Sequence, residues 1–326
     1  MQPAIAKITH SRLHHPGAVL FLCCAIFFTS TSNAQEHSLA QELLARMSEA
    51  VRQLNYHGTF TFEVADSAIE TYELTHWVDK DGEKERLLRL NGREKTVVRS
   101  NAETDCLAIG EKILRGHLGK VHPSDQLFSN YSLYLRGEQR IANRLTYLLQ
   151  LVPHDVFRNG QTIAVDKETF LPLQKQWFNP DNQLIERLQF VNLEIVSDAR
   201  LLASKQRSSA PVLKFDQSPC ATDSDPQPGR SNWVVNWLPK GFFLTRVGST
   251  DEGETMLTYT DGLASFSVFV LQRPVSIMIQ GKSDRGATVA FVGNRMWQQQ
   301  TYRVTVIGEV PLITAQKVVA SVAPAN

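Results

Sequence analysis

Between Tyr56 and Ile195 the apolar residues recur with a period of two, and this pattern restricts the fold more than any other feature of the chain. Tyr56, Gly58, Phe60, Phe62 and Val64 alternate with polar residues, and so do Tyr72, Leu74, His76 and Val78. Successive side chains of a strand point to opposite faces, so alternation of this kind predicts half-buried strands. Further strands are expected at 104–109, 143–152, 161–166, 171–178 and 183–195, with turns at Asn159-Gly160, Asp166-Lys167-Glu168-Thr169 and Asn179-Pro180-Asp181-Asn182. Leu87 to Leu90, Asn91-Gly92 and Thr96 to Val98 predict a two-residue hairpin, because Asn-Gly tolerates the positive φ of a type I′ turn. The stretch 110–140 is less regular, and Leu127, Tyr131, Leu133 and Leu135 fit helix or loop. Nothing in this part suggests βαβ units. A long antiparallel meander is the expected result.

One helix leads into it. Ser38-Leu39-Ala40-Gln41 fits a capping box, and Leu39, Leu43, Met47, Val51 and Leu54 lie at helical spacing, which predicts an amphipathic helix over 38–54. A curved sheet closed by a single helix cannot fill its own concave side. Such half-barrels enclose apolar cavities able to take an acyl chain, and each buried CH₂ is worth roughly 0.8 kcal/mol. The candidate lining is Tyr56, Phe60, Phe62, Tyr72, Trp77, Leu88 and Trp177, though any one of these is equally an ordinary core residue. The basic run Lys84, Arg86, Arg89, Arg93, Lys95 and Arg99 is interrupted by Glu83, Glu85 and Glu94. It reads either as a solvated hairpin face or as a rim for lipid phosphates, which arginine forks match.

The first 34 residues form a targeting segment. Lys7 and Arg12 give a positive start, Gly17 to Phe28 is apolar, and Ser32-Asn33-Ala34 supplies small side chains before Gln35. The apolar run is shorter than the ~20 residues that span a bilayer, and Cys23 and Cys24 lie inside it, a poor position for a lipid-acceptor cysteine. Removing this segment takes 34 Lys and Arg down to 32 against 33 Asp and Glu. A nearly neutral chain without blocks of like charge argues against nucleic acid and against purely electrostatic membrane binding. Cys106 and Cys220 survive cleavage; they form a disulfide, or are a buried strand thiol and a linker thiol.

Composition changes after Leu202. Residues 204–231 are rich in Ser, Pro, Asp and Gln, with Pro211, Pro219, Pro226 and Pro228, and read as a linker. The organisation is then a signal peptide (1–34), a lipid-binding half-barrel domain (35–203), the linker (204–231) and a C-terminal partner-binding domain (232–326). The fold class is mixed, β-rich α+β, with a smaller α+β second domain. Its strands are expected at 255–260, 264–271, 275–280, 286–292 and 301–307, followed by a short helix with Ile313, Val318, Val319 and Val322 facing inward.

Catalytic templates are missing. The sequence has no Gly-x-Ser-x-Gly elbow, no His-Glu-x-x-His, no phosphate loop and no Gly-x-Gly-x-x-Gly. His117 and His122 are the only close pair of histidines after residue 34, and their spacing suits neither strand nor helix ligation. A binding protein without metal or cofactor is the expectation, and a hydrolase with an unfamiliar site the remote alternative. For the protein partner the candidates are Trp233, Trp237, Phe242, Tyr259, Phe266, Arg295 and Arg303, with domain core as the competing role for each aromatic.

At this point the chain resembles a known family. Leu54-Asn55-Tyr56-x-Gly58-Thr59-Phe60, Arg140-Ile141-Ala142-Asn143-Arg144-Leu145 and Asp166-Lys167-Glu168-Thr169-x-Leu171-Pro172-Leu173 are similar to the N-terminal domain of the sigma-E regulatory proteins RseB and MucB. Trp237-Leu238-Pro239-x-Gly241-Phe242, Tyr259-x-Asp261-Gly262-Leu263-x-Ser265-Phe266-Ser267-Val268 and Val304-Thr305-Val306-x-Gly308-Glu309-x-Pro311 resemble the C-terminal domain. The resemblance implies a first domain like the LolA and LolB lipoprotein carriers, an incomplete antiparallel barrel with helices over its open side. It implies a periplasmic negative regulator that holds the periplasmic part of a membrane anti-sigma factor, shields it from the site-1 protease and lets go on binding lipid or lipopolysaccharide. A homo-oligomer stays open. The alternative is a periplasmic lipid carrier without a regulatory partner. One departure from the family pattern is the stretch Pro153-His154-Asp155 with the turn Phe157-Arg158-Asn159-Gly160, where more aromatic strand is expected.

Overall fold

The computed structural model describes residues 29–65, 67–80, 82–92, 96–100, 125–197, 212–214, 231–250, 252–272, 274, 276 and 278–325. The strand expected at 104–109, the signal segment up to 28, and Cys106, Cys220, Arg93 and Lys95 lie outside these residues.

Helix α1 runs Thr29–Gln53, well upstream of the expected Ser38 cap, so the capping box is not what starts it. Its stripe of Ala40, Leu43, Leu44, Met47 and Ala50 is buried. Strands β1 (Tyr56–Val64), β2 (Glu70–Asp79), β3 (Gly82–Arg89) and β4 (Thr96–Ser100) follow, then α2 (Asp125–Asn130). The meander resumes with β5 (Tyr131–Ile141), β6 (Arg144–Pro153), β7 (Gly160–Asp166), β8 (Pro172–Phe178) and β9 (Leu184–Ile195), and β10 (Val212–Lys214) completes it. All ten strands form one open sheet in the order β10-β4-β3-β2-β1-β9-β8-β7-β6-β5. Every neighbouring pair is antiparallel except β10, which pairs parallel to β4 from within the segment read as linker.

The Asn91-Gly92 turn is wider than a two-residue hairpin, since Leu88 pairs with Thr96. Asn91 is engaged elsewhere. Its Oδ1 accepts from Thr71 N at 2.8 Å and its Nδ2 donates to Ile69 O at 2.7 Å, which fixes it against the start of β2.

The second domain contains β11 (Trp233–Val235), β12 (Phe243–Ser249), β13 (Glu254–Thr260), β14 (Ser265–Leu271), β15 (Gly281–Arg285), β16 (Thr288–Trp297), β17 (Gln300–Gly308), α3 (Leu312–Ser321) and β18 (Val322–Pro324). Six of the strands form a sheet ordered β12-β13-β14-β17-β16-β15, and β11 pairs with β18. The strand expected at 275–280 begins later, at Gly281. Helix α3 buries Val318 and Val319 against the sheet with Val322 behind them, whereas Ile313 faces solvent. The architecture is β-rich with few helices, in two domains, and the large sheet does not close into a barrel.

Candidate functional site

The inner face of the first sheet, the face toward α1, is set by cross-strand register. Phe60 stands opposite Tyr72 and Phe190, Phe62 opposite Leu188, and Leu74 opposite Leu87. The rings stack accordingly: Phe60 lies 5.4 Å from Tyr72 and 5.6 Å from Phe190, centroid to centroid, and Tyr56 stacks on His76 at 4.7 Å. Tyr56, Phe60 and Phe62 are buried in one cluster with Ala50 of α1, Leu173, Leu188 and Phe190, and Tyr72 packs against it. Two expected lining residues are on the other face. Trp77 alternates away from Leu74 and is buried in a separate cluster with Val196, and Leu88 pairs with Glu73, so that Leu87 faces inward instead. A register offset of one residue reverses the face.

Trp177 shares the inner face with Lys175, two positions earlier, and their cross-strand partners there are Glu186 and Leu188. Lys175 is 7 % exposed and lines an apolar hollow with Val51, Tyr56, Leu74, Leu171 and Phe190. This hollow measures about 30 Å³, room for a water or two and not for an alkyl chain. A larger cavity of about 250 Å³ opens beside Phe62, Val64, Ala68, Glu70 and Arg89, and it is bounded on the far side by Arg285 of the second domain.

The second domain packs against the same inner face. It inserts three turns into the inner face of the first. Leu263 joins the apolar cluster of Leu44, Met47, Leu127, Leu149 and Ile163. Beside it, Asp261 Oδ1 accepts from Leu263 N and Ala264 N, and Asp261 Oδ2 takes a hydrogen bond from Arg158 Nε at 2.6 Å and one from the Tyr131 hydroxyl at 2.9 Å. Arg158 also binds Asp155 and the Lys240 carbonyl, with its guanidinium 4.9 Å from the centre of the Phe242 ring. Burial works against the Arg158 charge, but Asp261 overrides it and raises the pKa above the ordinary value; burial and Asp261 push the Tyr131 phenol well up. Arg158 therefore keeps its charge and Tyr131 its proton throughout the usual pH range.

The second turn is that between β15 and β16. Glu186 Oε2 accepts from Ala287 N at 2.9 Å, and Gly286 with φ +58° leaves the space that a Cβ would take from the carboxylate. Arg285 reaches Glu70 at 3.0 Å, next to the Arg89–Glu70 pair at 3.1 Å. The third is the turn after β17, where Glu309 acts electrostatically on both Lys175 and Glu186. At the edge of the seam Phe157 packs edge-on against Trp237 at 5.0 Å, with Lys317 over both rings, and Thr314 Oγ1 donates to Phe157 O at 2.8 Å.

Of the residues expected at the partner surface, Trp233, Phe242, Tyr259 and Phe266 are buried in the core of the second domain, and Trp237 lies in the seam. Trp233, Phe242, Tyr259 and Phe266 offer little free surface in this conformation, and Trp237 is half-buried. Arg295 Nε donates to Val322 O at 3.2 Å, and Arg303 is half-buried across from Asn294. From the basic run, Lys84 pairs with Asp79 at 2.7 Å and Arg86 is buried. Sequence reading did not single out Arg158, Lys175, Glu186 or Asp261 as site residues. Among the described residues no group of three His, Cys, Asp or Glu could hold a metal.

Fold and seam define a two-domain, β-rich binding protein whose second domain occupies the inner face of the first. The match to known proteins spans both domains. The MucB/RseB N-terminal domain family matches residues 39–212 and the MucB/RseB C-terminal domain family residues 227–323. The chain belongs to the MucB/RseB family. The sigma factor AlgU regulatory protein MucB of Pseudomonas aeruginosa is 35 % identical over 298 residues, covering 87 % of this chain and 91 % of the relative. The sigma-E factor regulatory protein RseB of Haemophilus influenzae is 25 % identical over 319 residues, 92 % and 96 % of the two chains. A solved structure of the P. aeruginosa MucA/MucB complex superposes with a TM-score of 0.68 at 33 % identity, covering 88 % of this chain and 99 % of that one.

Proposed function

We propose that the chain is a periplasmic negative regulator of an envelope-stress sigma factor, which binds the periplasmic part of a membrane anti-sigma factor. The observation that carries this is the similarity of both domains, in order and over nearly their full length, to MucB, which has been solved in complex with MucA. In this reading the bound segment is shielded from the site-1 protease, and lipid or lipopolysaccharide ends the shielding. The first domain serves as an incomplete barrel with α1 across its open side, and the acyl chain is its cargo.

The seam supports a physical route for the release. The hollow is too small for an acyl chain, and Leu263 of the second domain packs into the apolar cluster of the same inner face. Lipid and second domain then compete for one apolar face, and a ligand that prefers the undocked arrangement shifts the balance by its affinity difference. The experiment is capture of the periplasmic segment of the organism's own anti-sigma factor by the mature protein, followed by site-1 proteolysis of that segment. Binding with slowed cleavage is expected. No capture, or capture with unchanged cleavage, overturns the reading.

A further inference from the structure

Lys175 and Trp177 stand on one face of β8, both buried, and Trp177 Nε1 has no hydrogen-bond acceptor among the described residues. A buried donor without an acceptor costs about 1–3 kcal/mol, and more when it is charged. Such groups are rare in protein cores. The surroundings of Lys175 are apolar: it lines the hollow together with Val51, Leu171, Leu188, Phe190 and Leu193, and Trp177 is the next residue on the same face of β8. The one opposing charge that acts on Lys175 is Glu309, which arrives with the second domain. Burial pushes the amine down to about 8, so at neutral pH it still carries its proton.

We propose that Lys175 and Trp177 take the anionic head of a single acyl chain, and that this head replaces the charge of Glu309 when the chain displaces the second domain. The inference rests on the lipid reading above and adds to it the charge of the ligand and the two groups that recognise it. The chemistry favours an anion over an uncharged polar head, because an ammonium in an apolar site gains most from an opposite full charge. Chain binding and undocking are thereby one event.

The test uses the mature full-length protein at pH 7 and two probes of equal chain length, myristate and its uncharged glycerol ester monomyristin, titrated calorimetrically below their aggregation thresholds. Myristate is expected to bind at least tenfold more tightly than the ester. Lys175→Met should bring myristate down to the level of the ester without changing the ester, Lys175→Arg should keep most of the preference, and Trp177→Phe should lose a few-fold on myristate alone. Replacing a buried amine with an apolar chain of similar shape does not threaten folding, and an unchanged or higher melting temperature of Lys175→Met will confirm that. Equal binding of the two probes by the wild type, or a preference that survives Lys175→Met, overturns the inference while leaving the lipid reading in place. Acetate binding as tightly as myristate also overturns it, by making the site one for free anions. Binding of neither probe takes down the lipid reading itself.

Discussion

Arg158 Nε donates to Asp261 Oδ2 at 2.6 Å across the two domains, and both side chains are fully shielded from solvent. The two residues lie 103 positions apart, on the β6–β7 connection and on the turn after β13. Removing one partner of such a pair leaves a buried uncompensated charge, which costs about 3–5 kcal/mol, whereas replacing both with apolar groups is often close to neutral. Asp261→Asn should therefore lower the melting temperature markedly and expose the seam to proteases. Arg158→Met combined with Asp261→Asn should recover a large part of the loss. A double-mutant cycle on thermal unfolding measures the coupling, and additive effects would mean the pair does not link the domains.

The β15–β16 turn gives a second prediction. Gly286 has a φ of +58°, and a Cβ there would collide with Glu186 Oε2. Gly286→Ala should weaken this docking point by about 1–3 kcal/mol through backbone strain and displacement of the carboxylate. The effect should be local: faster hydrogen exchange at the Ala287 amide, which donates to Glu186, with the core strands of the second domain unchanged. Unaltered exchange at Ala287 counts against the turn as a docking point.

Stability should depend on pH in opposite senses through Glu186 and Lys175. Burial raises the Glu186 carboxyl from 4.5 to about 7; Glu309 adds to the shift, and the Ala287 amide and Arg285 oppose it. The folded state then holds a proton that the unfolded state has lost, so stability falls as pH rises from 4.5 to about 7. Burial lowers Lys175 from 10.5 to about 8, against the attraction of Glu309, so stability rises as pH climbs from about 8 to 10.5. The gain in melting temperature of Glu186→Gln over wild type should grow between pH 4.5 and 7. That of Lys175→Met should be largest below pH 8 and shrink toward 10.5. Flat differences in both series contradict the burial of these charges.

Much of this fold was legible in the sequence, and the reason is periodicity. The alternation around Phe60, Phe62 and Phe190 and the stripe Leu43, Met47 of α1 are local patterns, and burial followed them. What escaped was whatever depends on register or on distant partners. Trp77 and Leu88 are apolar and close to the right place, yet one residue of offset puts each on the outer face. Lys175 sits between Gln174 and Gln176 and looks like any strand lysine until β7 and β9 fix its face. The stretch Pro153 to Gly160, which departs from the family pattern, is the segment that carries Phe157 and Arg158 to the second domain. The seam between the domains escaped for the same reason, since its partners, such as Arg158 and Asp261, are far apart in sequence. Trp233, Tyr259 and Phe266 stood out as aromatics, and the same apolar character that drew attention to them put them in the core.

The account depends on coupling between an acyl ligand and the protein partner through one shared inner face. The direct measurement is the affinity of the mature protein for a peptide from the periplasmic segment of the anti-sigma factor, taken with and without saturating lipopolysaccharide. A coupling of about 1–3 kcal/mol is ordinary for such a switch, so the peptide should bind roughly 5–150-fold more weakly in the presence of lipid, and lipid should bind more weakly by the same factor in the presence of peptide. Equal peptide affinity in the two conditions would contradict the account.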